Sequence, residues 1–364
     1  MKNGNGNMKG LILSGGKGTR MRPITHTSAK QLLPIANKPI LFYGIEALKS
    51  AGIKEIGIII SPETGGDVKA TVGDGSRWGI KIDYILQDEP LGLAHAVKTA
   101  RPFLGDDTFV MYLGDNLIKD GVAPLVQRFQ ETKVDAFILL KEVNSPSSFG
   151  VAELDKQGHI ICLEEKPAKP KSNLALVGVY LFTKNIHKAI DQIRPSRRGE
   201  LEITDAIQKL IETKNHVGSH ILNSWWLDTG KKDDMLEANR VVLDEMSDVS
   251  MLGELKDNSR VSGRVHVGAG TVLKDCTVRG PAMIGNNCLL EHSYVGPFTS
   301  IGDGARVTHA EIEHSILREN CQILDFHGRI EDSLIGVNVE LTRSKMKPVA
   351  FRLMLGDDSK VEVV

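Results

Sequence analysis

A chain of 364 residues is longer than one ordinary hydrophobic core organises, so two domains are expected, and a formal net charge of -1 supplies no basic excess for a nucleic-acid partner. Its four cysteines (Cys162, Cys276, Cys288, Cys321) lie far apart with no C-x-x-C pair, which argues against a zinc ribbon or a disulfide framework and for reduced thiols. The polar N-terminus reads as an extension before Met8, with neither a secretory apolar region nor a membrane span, and a cytoplasmic location is expected.

From Lys9 to about Arg240, short β-rich runs alternate with helical patterns, the signature of a Rossmann-like, mostly parallel α/β sheet. Strands are predicted over Gly10–Ser14, Ile56–Ser61, Phe109–Leu113, Ala136–Val143 and Val177–Thr183. Helices are predicted over Ile40–Ala51, opened by Pro39 and stopped by Gly52, and over Leu93–Ala100, Ile203–Thr213 and Asp233–Glu245. A polar stretch beginning at Asp244 then divides the chain into a domain over 9–243, a linker over 244–258 and a second domain over 259–364.

In the second domain aliphatic residues recur six apart, often followed by glycine: VGAGTV from Val267, IGNNCL from Ile284, VGPFTS from Val295, IGDGAR from Ile301 and IGVNVE from Ile335. This period fits the coils of a left-handed hexapeptide β-helix, in which one side chain per short strand points into a shared core. An antiparallel meander has no reason to repeat at six. The spacing slips around Val307 to Leu317 and near His327, where loops are predicted, and the tail FRLMLGDDSKVEVV reads as one or two closing strands.

Chemistry-bearing residues concentrate in the first domain. The first strand runs into LSGGKGTRMRP, where Gly15, Gly16 and Gly18 let backbone amides approach a phosphate chain and Arg20 adds charge; a merely tight turn explains the glycines equally. It is neither a Walker A loop nor a dinucleotide fingerprint. Gln87 offers an amide donor beside an acceptor, the complement of the imide edge of thymine or uracil, or else ends a strand in solvent. Asp115 follows the apolar run FVMYL, at the carboxyl end where open α/β sheets bind ligands, and Asp228 lies in WWLDTG. Two such aspartates could share one Mg2+ with a nucleotide, or serve as a helix cap and an Asp-Thr-Gly turn. Glu165 and Lys166 in EEKP form a charged pair that elsewhere would be a solvated turn.

Downstream, SAKQLLPIANKP carries Lys30 and Gln31. Together, SGGKGTR and AKQLLP resemble the nucleotidylyltransferases that make nucleotide sugars, most of all the glucose-1-phosphate thymidylyltransferases in their longer form with a C-terminal β-helix. QDEPLGLAHA, YLGDN, SFGVAE, EEKP, GELEITD and WLDTG follow in the family's order, so the resemblance covers nearly all of residues 9 to 240. It implies that Gly15, Gly16, Gly18, Thr19 and Arg20 hold a triphosphate and that Lys30 contacts its phosphates. Gln31 favours the thymidylyl branch over relatives with proline or glutamate there. Gln87 would read the base with Gly92 beside it, Asp115 and Asp228 would hold Mg2+, and Asn116 would orient substrate. Glu165 would bond sugar hydroxyls and Lys166 the sugar phosphate, with Gly150 allowing close approach. Gly178 and Tyr180 would be weaker neighbours, Tyr180 reading equally as a core aromatic.

The implied reaction is in-line attack of a glucose 1-phosphate oxygen on the α-phosphorus of dTTP, giving dTDP-glucose and pyrophosphate, the first step toward dTDP-deoxysugars. Arg20, Lys30 and Lys166 would be the catalytic cations, and no general base is required because the nucleophile is already an anion. Alternatives are uridylyl or guanylyl transfer to another hexose 1-phosphate, or a second, acetyl-CoA-dependent activity using His266, His292, His309, His314 or His327 of the β-helix. That domain is expected to serve assembly or control, with the chain forming a homo-oligomer.

Overall fold

The computed structural model describes residues 8–16, 18–26, 28–343, 346–347 and 351–362. The chain forms two compact units, one of Met1–Lys17 with Ile40–Asp228, the other of Gly18–Pro39 with Thr229–Val364.

The first unit is built on a nine-stranded mixed sheet. Lys9–Leu13 lies between Glu55–Ile60 and Phe109–Leu113, parallel to both, and Lys81–Leu86 extends the parallel part. Leu174–Phe182 runs antiparallel to Phe109–Leu113 and pairs with Gly150–Leu154, which carries Ile160–Glu165, and with Ala136–Glu142. Val217–Ile221 adds a parallel strand to the last of these. The central strands read as unbroken apolar runs because both faces are covered. Leu11, Leu13, Phe109 and Met111 pack with Ala94, Val97, Ile203 and Ile207 from two helices, Leu93–Thr99 and Ile203–Glu212. On the other face the Tyr112 ring lies against Gly44 of the Ile40–Ser50 helix.

All five strands and four helices expected from sequence are present, with ends shifted by up to about three residues, the usual scatter of boundary assignment. Strands such as Gly150–Leu154 and Ile160–Glu165 were not legible, since the second mixes buried and exposed positions without strict alternation. Strand order reverses at Lys9–Leu13, whose chain successors lie on one side and Phe109–Leu113 on the other, so a topological switch point falls at its carboxyl end.

The second unit contains three parallel sheets of short strands, of six, six and five strands, stacked coil on coil as a β-helix. Val265–Val267 pairs with Ala282–Ile284, which pairs with Thr299–Ile301, a step of 17 residues, or about three hexads per coil. Val267, Leu273, Val278, Ile284, Leu290, Val295, Ile301, Val307, Ile312 and Ile323 form the shared interior, each 0–1 % exposed. Corner residues such as Asp275, Asn287, His292 and Asn320 have φ near +50 to +60°, a region Asn, Asp and His enter more readily than other side chains.

Three features differ from the sequence reading. The first coil begins at Ser250–Met251 and Glu254–Lys256, inside the stretch read as a linker, where polar outward residues hide the strand pattern. Val307 to Leu317 holds successive strands Arg306–Thr308, Glu311–Ile312 and Ile316–Leu317 rather than a loop; the slip is a coil one residue shorter, Ile301 pairing with Leu317 16 residues on. Residues 351–362 contain no strand; Phe351 and Met354 are 74 % and 100 % exposed, with no ladder partner to order them. The slip near His327 is a real corner insertion. All four cysteines are unpaired. Among the described residues no helix is long and apolar enough to cross a membrane.

Candidate active site

The sheet's carboxyl edge gathers the first set of expected residues. Lys9–Leu13 ends in Ser14, Gly15 and Gly16, with Ser14 N bonded to Ile59 O at 2.9 Å. Lys81–Leu86 ends in Gln87, only 7 % exposed, whose Oε1 would lie 3.3 Å from a Cβ on Gly15. Gln87 Nε2 donates to His95 Nδ1 at 2.9 Å, so the amide is held in one orientation with Oε1 and the second N–H left to face a ligand. His95 had no signal in the sequence; its role is set by packing of the Leu93–Thr99 helix. At that helix's entrance Gly92 has φ +106° and a Cβ there would strike the Leu201 backbone, so glycine is required.

The second set forms around Asn116, which is 2 % exposed. Its Nδ2 donates to Asp115 Oδ1 at 2.9 Å, while its Oδ1 accepts from Trp226 Nε1 at 2.6 Å and Gly178 N at 3.2 Å. A Cβ on Gly178 would sit 2.5 Å from that oxygen, so the close approach needs glycine. Trp226–Asp228 pairs antiparallel with Asn116–Ile118, placing Asp228 directly opposite Asn116. Asp115 and Asp228, 113 residues apart in sequence, are thus brought to neighbouring backbone positions. Trp226, the first residue of WLDTG, is a positioning residue that residue chemistry alone did not single out.

The third set lies where Ile160–Glu165 pairs with Gly150–Leu154, Glu165 opposite Gly150. Thr204 Oγ1 donates to Glu165 Oε2 at 3.3 Å, and Arg198 Nη1 is 3.5 Å from Oε1. Burial, and then the charge of Glu202, hold the Glu165 carboxyl above the usual range, against the pull of Lys166 and Arg198. Lys166 is exposed, with φ +42°, unusual for a long side chain, and its amide is fixed on Phe149 O at 3.0 Å. Tyr180 is 4 % exposed and stacks on Phe182, with its phenol raised by burial and by Glu165. It is a core aromatic beside the carboxylate.

The remaining expected residues belong to the second unit, because the division between units runs through the glycine loop at Lys17–Gly18. Gly18 (φ +61°) precedes the 3-10 turn Thr19–Met21, which carries Arg20; the Arg20 guanidinium lies beside Gly230. Lys30 and Gln31 open a second 3-10 turn, Lys30–Leu32, and are 5 % and 4 % exposed. Gln31 Oε1 is buried without a hydrogen-bond partner among the described residues, an acceptor still to be satisfied.

Comparison with known proteins identifies the family of the chain. Residues 9–245 match the family model for nucleotidyl transferases. The chain is 52 % identical over 357 residues to a glucose-1-phosphate thymidylyltransferase of Streptomyces antibioticus, covering 98 % of this chain and 99 % of that protein. It is 45 % identical to a low-salt glycan biosynthesis nucleotidyltransferase of Haloferax volcanii, covering 98 % and 100 %. A Bacillus anthracis structure, described as a candidate glucose-1-phosphate thymidylyltransferase in complex with sucrose, superposes with TM-score 0.61 at 38 % identity, over 64 % of this chain and 94 % of that one. With that family model covering more than half of its length and a relative of 52 % identity aligned over nearly all of it, the chain belongs to the nucleotidyl transferase family.

Proposed function

We propose that the chain transfers a thymidylyl group from dTTP to glucose 1-phosphate, giving dTDP-glucose and pyrophosphate. The observation that carries the reaction class is the placement of Asp228 opposite Asn116, which itself holds Asp115: two hard oxygen donors from distant sequence at one sheet edge. That donor set fits Mg2+, which takes one or two carboxylates and completes its shell with water and substrate phosphates. Bound there, the ion would neutralise phosphate charge on the nucleotide. The choice of dTTP and glucose 1-phosphate rests on the activity named for the Streptomyces relative and on Gln31 and Gln87.

Each protein group then has a defined task. Backbone amides at Gly15, Gly16 and Gly18, with Thr19 and Arg20, bind the triphosphate, and Lys30 meets its phosphate oxygens. Gln87, held by His95 and flanked by Gly92, pairs with the imide edge of the base. Glu165 accepts from sugar hydroxyls beside Gly150, and Lys166 aligns the sugar phosphate for in-line attack. Asn116 and Gly178 act by positioning Asp115, and Tyr180 by packing beside Glu165. Rate arises from alignment and charge stabilisation, so loss of one such charged contact slows turnover by roughly a hundredfold or more. The segments up to residue 243 carry this chemistry, the β-helix that begins at Ser250–Met251 serves assembly into a homo-oligomer or control, and the enzyme is cytoplasmic.

The test is pyrophosphate release with Mg2+ from dTTP, UTP, GTP, CTP and ATP against several hexose 1-phosphates. dTTP with glucose 1-phosphate is expected to be fastest, and Asp115→Asn to abolish turnover while keeping the fold. Preference for GTP with mannose 1-phosphate would overturn the assignment.

A further inference from the structure

One corner of the β-helix departs from its own repeat. Two residues link the strands at 275–276, 292–293 and 309–310, but four do so at 325–328. The corner position after five successive strands of one sheet is Asp257, Asp275, His292, His309 and Asp325, all with φ near +50°, the end coil's corner at 257–259 having three residues. The left-handed conformation accounts for Asp and His at those positions. It does not account for the inserted pair, which adds a second histidine: His327 N donates to His309 O at 2.7 Å, and the His309 and His327 rings stack with centroids 5.0 Å apart. His309 Nδ1 is 3.0 Å from Asp325 Oδ1. One potential ligand atom from each of His309, Asp325 and His327 lies within 4.8 Å of the others. The cluster opens on a surface depression of about 850 Å³, also lined by Arg279, Tyr294, Glu311 and Arg329. His266 and His314 do not join it, His266 bonding Asp248 O and His314 bonding Asp332, while the His292 ring stacks on His309.

We propose that His309, Asp325 and His327 form a binding site for a borderline divalent transition ion such as Zn2+, separate from the nucleotide chemistry. Two imidazoles and one carboxylate suit such an ion and leave positions for water or a small ligand from the depression. Metal–nitrogen bonds of about 2.1 Å bring donors within about 4 Å of each other, a closure that rotation of the exposed His327 side chain supplies. Asp275, 2.9 Å from His292 Nδ1, and the stacked His292 ring hold the inner face of the site.

The experiment uses the full chain, stripped with chelator and titrated with Co2+ in excess Mg2+, which occupies the hard-oxygen site. One equivalent of Co2+ is expected to develop a visible d–d absorption band, displaced by one equivalent of Zn2+. His327→Ala and Asp325→Asn should each weaken binding about a hundredfold. His327 is exposed, so its removal leaves the fold intact, and His314→Ala should leave the band unchanged. Absence of a stoichiometric band in the natural chain, its persistence in His327→Ala, or its loss in His314→Ala would overturn the site.

Discussion

Glu165 shows how one residue's environment sets a measurable property. Its carboxyl is held above the usual range, chiefly by burial, so it takes up a proton at higher pH than a free glutamate. As a hydroxyl acceptor it must be ionised, so KM for the sugar phosphate should rise as pH falls from 7 toward 5, with nucleotide KM unchanged. Arg198→Ala removes a charge that favours the carboxylate and should move that rise to higher pH; Glu165→Gln should raise KM and flatten its pH profile. A flat profile in the natural enzyme would contradict the assignment. Gly92 is a second residue-scale case. Gly92→Ala places a Cβ against Leu201 backbone at a left-handed φ and should cost about 1–3 kcal/mol or more, read from the urea midpoint. Asp115 was legible because it follows an apolar strand, and Gln87 because of its amide chemistry and its place in QDEPLGLAHA. His95, Trp226 and Arg198 were not, since their partners lie 8, 110 and 33 positions away, at distances only folding creates.

At the scale of elements, helices and central strands were readable because each satisfies its own period locally. Short strands at the sheet margin were not, because pairing rather than pattern makes them strands. The β-helix is the clearest case of both. Its six-residue rhythm is in the sequence, yet each strand has two or three residues and exists only by stacking on its neighbours. Coil interiors should therefore be sensitive: Ile323→Ala, at 0 % exposure, is expected to cost about 2–5 kcal/mol in chemical denaturation. Leu255→Ala, in register with the interior Leu273 but on the first coil and 45 % exposed, should cost much less than Ile323→Ala, because less apolar surface is buried there. Equal effects at the two sites would show that the interior is not shared.

For the whole molecule, the loop bearing Arg20, Lys30 and Gln31 is bound into the same compact unit as the β-helix. Asn239, fully buried on the Lys232–Glu245 helix, accepts from Ala36 N at 2.9 Å and Ser300 Oγ at 2.7 Å and donates to Phe298 O at 2.9 Å. Asn37 Nδ2 donates to Ile301 O at 2.7 Å. Asn239→Ala leaves buried groups unpaired, a loss of about 1–3 kcal/mol. It should lower kcat/KM for the nucleotide roughly tenfold through misplacement of the loop, equivalent to about 1.4 kcal/mol. Unaltered nucleotide kinetics would mean the loop is held otherwise. The β-helix is structurally joined to the segment proposed to bind the triphosphate, which an order of motifs along the chain could not reveal. What the sequence by itself determined were the α/β class and the hexad repeat, because local periodicity encodes them, and through its ordered motifs the resemblance from which the phosphate-facing groups are proposed. Only the tertiary structure decided that Asp228 faces Asn116, that Gln87 is fixed by His95, and that the phosphate loop belongs with the β-helix, because such contacts join segments through packing and buried hydrogen bonds that leave no local trace.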